Sequence, residues 1–138
     1  MFRSRNAIKK RKYKIEIKII DEEINRSQRH NLNFSVFVVD MSHSVPRGLS
    51  KLLPGNVVSF HLMQKYICSY DHMIGPNRRR YYIIFAQTNR DGANAVKQRI
   101  HKLAKEQNWG NLTIGTAVYP EDGNTPQALL SKAISDLS

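Results

Sequence analysis

Three consecutive arginines, Arg78, Arg79 and Arg80, stand between Gly75-Pro76-Asn77 and the apolar run YYIIFA. Guanidinium groups bind phosphate oxygens through paired N–H donors, so three at the mouth of a strand suit an anion such as a nucleotide phosphate. The same run also reads as a solvated turn whose charges keep a hairpin edge from pairing with neighbours. Carboxylates are the other groups with chemical potential: Asp40 closes the stretch FSVFVVD and Asp71 closes QKYICSYD. Each stands alone. A lone carboxylate is a poor magnesium site, so Asp40 reads first as a cap at a strand end.

The remaining reactive side chains form no constellation. His30, His43, His61, His72 and His101 are scattered, with no second ligand at helical spacing, and neither a metal nor a cofactor is expected from them. Ser42, His43 and Ser44 are neighbours in sequence, but a nucleophile and base also need an orienting acid and an oxyanion site. Cys68 has no partner for an internal disulfide and lies among apolar residues, which fits a small buried hydrophobe in a cytoplasmic setting. Tyr81 and Tyr82 alternate across a strand, so one is expected inward and one outward; an outward ring could stack on a base, but core or edge packing is the first reading. Trp109 reads as a loop anchor at a helix end.

Net charge is +11, and its placement matters more than its size. Residues 1–18 hold eight Lys/Arg against Glu16 alone, and Arg78 to Arg80 add three; the rest carries eleven basic and ten acidic groups. Two clusters therefore make the chain basic, and residues 9–14, KKRKYK, offer non-specific contact with polyanions. No apolar run approaches the roughly 20 residues that span a bilayer. The basic start could still be a juxtamembrane or linker segment of a larger membrane-anchored protein.

These groups must be positioned by one domain, since 138 residues suffice for a single core and no internal repeat or linker is visible. Residues 1–12 read as a basic N-terminal segment or linker and 13–138 as the domain. Tyr13, Ile17, Ile20 and Ile24 predict an amphipathic helix over 13–30, and FSVFVVD a buried strand over 34–40. Residues 41–55 read as loop, 56–68 as a second helix, and 70–74 with 80–87 as a hairpin turning around GPNR. Asn89 or Asp91 caps a helix carrying Val96, Ile100, Leu103 and Ala104; NLTIGTAVY is the fourth strand; Thr125 and Pro126 open a last helix with Leu129, Leu130, Ala133 and Leu137 buried. The order α-β-α-β-β-α-β-α implies an α/β (α+β) domain with a mixed central sheet, an antiparallel hairpin and helices on both faces.

The segment LTIGTAVYPEDGNTPQALLSKAISDL, residues 112–137, resembles the closing strand, Ala-Val-Tyr-Pro-Glu-Asp-Gly turn and final helix of GGDEF domains, the domains of bacterial diguanylate cyclases. FSVFVVDMSH resembles their first core strand, which ends in Asp-x-Asp. The likeness covers most of residues 13–137 and implies a nucleotide-cyclase-like fold. It lays the Gly-Gly-Asp-Glu-Phe signature on Asn77, Arg78, Arg79, Arg80 and Tyr81. Asp71 then falls on the Asp of the family's inhibitory Arg-x-x-Asp site, with residues 72–76 intervening, and Cys68 stands on its Arg position.

In that family the signature acids hold divalent metal and activate the attacking 3'-hydroxyl; a guanidinium cannot ligate magnesium. Of the Asp-x-Asp pair only Asp40 remains, as a vestigial position, with Ser42 in place of the second acid. The resemblance thus implies a degenerate GGDEF domain that has lost cyclase chemistry. Its expected role is regulatory or receptor-like, in cyclic di-GMP signalling, through that or another guanine nucleotide, a protein partner or an adjacent domain. Arg78, Arg79, Arg80 and Asp71 are the candidate binding residues. The competing expectations are a basic module for nucleic acid or anionic surfaces, and a weak nucleotide-processing enzyme.

Overall fold

The computed structural model describes residues 12–41, 72–77, 79–106 and 112–137. The expected helix over 56–68, the loop from residue 42, and Cys68, Asp71, Arg78 and Trp109 lie outside these residues.

Helix α1, Lys14–His30, ends at Asn31 in the left-handed conformation, where the Leu32 amide bonds back to the Ser27 carbonyl. The chain then enters strand β1, Phe34–Asp40, at the predicted bounds. Strands β2, His72–Asn77, and β3, Arg80–Ala86, form the hairpin; helix α2, Arg90–Glu106, strand β4, Thr113–Tyr119, and helix α3, Pro126–Ser135, follow. The Asn89 side chain caps α2 by accepting from the Gly92 amide at 2.9 Å, and Thr125 Oγ1 caps α3 by accepting from the Ala128 amide at 3.1 Å. Pro126 occupies the start of α3, where its missing N–H is no loss.

The sheet order is β2-β3-β1-β4, and every neighbouring pair is antiparallel. The helical crossover from β3 through α2 to β4 does join strands of the same direction, as a mixed sheet requires. But β1 is inserted between them, so no parallel pair is adjacent: the arrangement is a split βαβ unit. The α+β class with helices on both faces stands, and the sheet itself corrects to antiparallel.

Both faces are covered. Phe34, Val36, Val38, Tyr82 and Ile84 pack under α1 and α3, while Phe37, Val39, Tyr81, Ile83 and Phe85 pack under α2. Central strands buried on two sides read as continuous apolar runs rather than alternating ones, which is why FSVFVVD and YYIIFA look as they do. The expected outward tyrosine is therefore absent: Tyr81 is 0% and Tyr82 2% exposed, on opposite faces. Helix α3 comes so close to β4 that a Cβ on Gly115 would overlap the Ala133 carbonyl oxygen.

Strand β4 is the last of the four described strands, and two of its amides are satisfied by carboxylates. Asp136 Oδ2 accepts from the Thr116 amide at 3.0 Å and Asp122 Oδ2 from the Val118 amide at 2.7 Å. Arg90, at the start of α2, holds Asp122 at 2.7 Å and Glu121 at 3.2 Å. The PEDG turn is thus a structural lock between β4 and α2.

Candidate functional site

Strands β1 and β3 lie side by side in a register that sets Asp40 opposite Arg80. Arg80 Nε donates to Asp40 Oδ2 at 2.8 Å, with the two side chains 31% and 13% exposed. One turn further, the Met41 amide donates to the Arg79 carbonyl at 2.9 Å, stitching the hairpin tip to the end of β1. The last pair of the hairpin is Asn77 with Arg80, so β2 runs on through Asn77. This corrects the expected turn around GPNR: Gly75 to Asn77 belong to β2, with a register shift between Ile74 and Asn77. Arg79 takes the left-handed conformation, φ 67°, which costs a residue with a Cβ about 1 kcal/mol. Its side chain is exposed.

The electrostatics follow from burial and from this pairing. Burial opposes the Arg80 charge, but the hydrogen bond and charge of Asp40, helped by Tyr82, outweigh it and hold the guanidinium proton more firmly than usual. Burial raises the Tyr82 phenol, Tyr13 adds to the effect, and Arg80 pulls it partly back. On the other face of the sheet burial alone pushes Tyr81 up to about 12. The Tyr13 ring meets Tyr82 edge-on, centroids 5.9 Å apart, and Lys12 Nζ sits 5.3 Å from the Tyr13 centroid. The first turn of α1 therefore lies beside the arginine hairpin, at the sheet end where β1 finishes.

Of the residues singled out by sequence, the structure brings together Asp40, Arg79, Arg80 and Tyr82. Tyr81 is nearby in sequence but turned into the opposite core. His72 and His101 stand apart on β2 and α2, and among the described residues no three His, Cys, Asp or Glu side chains gather. Sequence reasoning missed Tyr13 as a member of this end and missed the Asp40–Arg80 pair. The register that makes the pair is visible only once β1 is known to neighbour β3.

The structural comparisons fall on one family of folds. The chain resembles a diguanylate cyclase protein from Thermotoga maritima with TM-score 0.74 at 11% identity, over 88% of this chain and 90% of that one. It has the GGDEF-domain fold. The GGDEF domain of YfiN from Pseudomonas aeruginosa superposes with TM-score 0.68 at 19% identity, over 87% of this chain and 77% of that one. The GGDEF domain of DgcB from Caulobacter crescentus, solved in complex with c-di-GMP, gives 0.66 at 9%, over 86% and 76%. No protein-family model and no curated protein sequence matches the chain.

The metal that this fold family implies does not fit the described residues. Magnesium needs carboxylates whose lone pairs face the ion. Here the Asp40 carboxylate is turned to a guanidinium at 2.8 Å, so a cation bound to it would meet a fixed positive charge.

Proposed function

We propose that this GGDEF-fold domain is a cyclase relative without cyclase activity, acting as a receptor or regulator in cyclic-dinucleotide signalling. One observation carries the reading: the Asp40–Arg80 ion pair occupies the end of the sheet where the resemblance puts the metal-binding acids. Joining two nucleoside triphosphates needs cations to neutralise the triphosphate and to raise the reactivity of the 3'-hydroxyl. An internal guanidinium can do the first in part. It cannot do the second, because it has no accessible deprotonated form and no open coordination position.

What the site suits is a phosphate without metal. Arg79 presents an exposed guanidinium at the hairpin tip, and Arg80 spends donors on Asp40 and Tyr82 from a group that has five N–H donors in all. A cyclic dinucleotide carries two phosphodiesters and needs no metal to be held. The c-di-GMP complex of the DgcB domain shows that this fold can carry such a ligand, and it supports the same class of partner here.

The test is calorimetric titration with cyclic di-GMP, together with an assay for product from GTP with magnesium or manganese. Saturable cyclic di-GMP binding that weakens about tenfold in Arg79→Ala, with no product from GTP, is expected; one bidentate phosphate contact is worth about that much. Turnover of GTP would overturn the loss of chemistry. Absence of heat with cyclic di-GMP would remove the receptor reading.

A further inference from the structure

The first turn of α1 carries a surface whose composition is not explained by the nucleotide site. Lys12, Lys14, Ile15 and Lys18 are all exposed. Glu16 is the sole acid among residues 1–18, and it is turned inward, 5% exposed. It therefore neutralises little of the outward field, and exposed acids resume only at Asp21 and Glu22, a turn beyond Lys18. Ile15 is 60% exposed and is the one exposed large apolar side chain among the described residues. The buried side of the helix, through Tyr13, Ile20 and Ile24, is fully used by the domain's own core.

Two further observations bear on the partner. The sequence left open whether the two basic clusters share a face. The Tyr13–Tyr82 contact puts the start of α1 two strand positions from Arg80, so Lys12 and the hairpin arginines lie at the same end of the sheet. Every aromatic side chain among the described residues is buried. Single-stranded nucleic acid is held by bases stacked on exposed rings as well as by charge, and among the described residues this surface has the charge without the rings. An exposed isoleucine ringed by lysines is instead the composition of a segment that rests on an anionic bilayer, where the apolar side chain enters the headgroup boundary and the ammonium groups face lipid phosphates.

We infer that the N-terminal end of α1, through Lys12, Lys14, Ile15 and Lys18, docks the domain on an anionic membrane surface. Charge complementarity and the exposed apolar side chain at its centre carry the assignment, and it stands independently of nucleotide binding. The domain then sits with its arginine hairpin close to the bilayer, so lipid and nucleotide approach the same end of the sheet.

The experiment is sedimentation of the full chain with phosphatidylcholine vesicles and with phosphatidylcholine/phosphatidylglycerol vesicles, near physiological salt. Binding to the anionic vesicles alone is expected. Each lysine near an anionic surface is worth about fivefold in affinity, so Lys14→Ser with Lys18→Ser should weaken binding about 25-fold. Ile15→Ser, which changes no charge, should weaken it by at least fivefold while leaving retention on a transfer-RNA column unchanged. All three positions are exposed, and far-ultraviolet circular dichroism confirms that the variants fold. No sedimentation with anionic vesicles overturns the inference. So does a wild-type affinity unmoved by Ile15→Ser, which reduces the surface to plain charge attraction, or tighter binding to RNA than to vesicles.

Discussion

Replacing Arg80 by alanine isolates the interaction on which the functional reading rests. The guanidinium and the Asp40 carboxylate are 2.8 Å apart, with side chains 31% and 13% exposed, so the pair is neither a solvated surface pair nor a buried one. Exposed pairs couple by about 0.2–1 kcal/mol. Removing one partner of a buried pair costs about 3–5 kcal/mol, because the other charge is left without compensation. Intermediate exposure puts Arg80→Ala at about 2 kcal/mol, Asp40→Asn at about 1.5 kcal/mol, and their coupling at about 1 kcal/mol. Urea unfolding of the wild type, the two single variants and the double variant measures this directly. With a slope of about 2 kcal/mol per molar, Arg80→Ala should lower the midpoint by about 1 M. A double variant as destabilised as the sum of the singles, leaving coupling below about 0.3 kcal/mol, would refute the pair as an energetic unit.

Two other predictions test the packing around this end. Tyr81 has its phenol raised by burial to about 12 from 10, so the folded state retains a proton that the unfolded chain releases. Stability from this group is complete below pH 10 and is lost as pH rises from 10 towards 12; unfolding free energies from urea titrations across that window should fall by roughly 2 kcal/mol more in the wild type than in Tyr81→Phe. Gly115→Ala should destabilise the fold by more than the roughly 1–3 kcal/mol usual for overpacking, and lower the thermal midpoint accordingly, because the added Cβ meets the backbone of α3 and cannot be relieved by a rotamer change. Scanning calorimetry of the variant decides it, and an unchanged midpoint would mean that α3 sits further from β4.

Local signals in the sequence were sufficient for most elements. Strand β1 ran over Phe34–Asp40 as expected because a strand buried on both faces is a continuous apolar run. Thr125-Pro126 and Asn89 marked helix starts through backbone chemistry that acts within three residues. What local pattern does not encode is which strands are neighbours. Asp40 and Arg80 are 40 residues apart, and only the insertion of β1 between β3 and β4 brings them into register. The same missing order made an antiparallel sheet look mixed. Burial of charge was also hidden: Glu16 and Glu23 lie on the covered side of α1, the latter 3.3 Å from Arg26, where the apolar spacing alone places isoleucines. The hairpin turn moved because Gly75 and Pro76 resemble turn residues, yet here they sit in an irregular stretch of β2.

The way the two margins of the sheet are finished limits how this domain can meet other molecules. On β4 the amides of Thr116 and Val118 already donate to carboxylates from the chain itself. On β2 the strand breaks register and includes Pro76, which has no N–H to give. At Thr116, Val118 and Pro76, among the described residues, a visiting strand would therefore find no free backbone N–H. At those positions recognition falls to side chains, whose charge and shape set the selectivity. Such contacts change by single substitution without disturbing the backbone, so the scaffold can exchange one partner for another while its core stays the same.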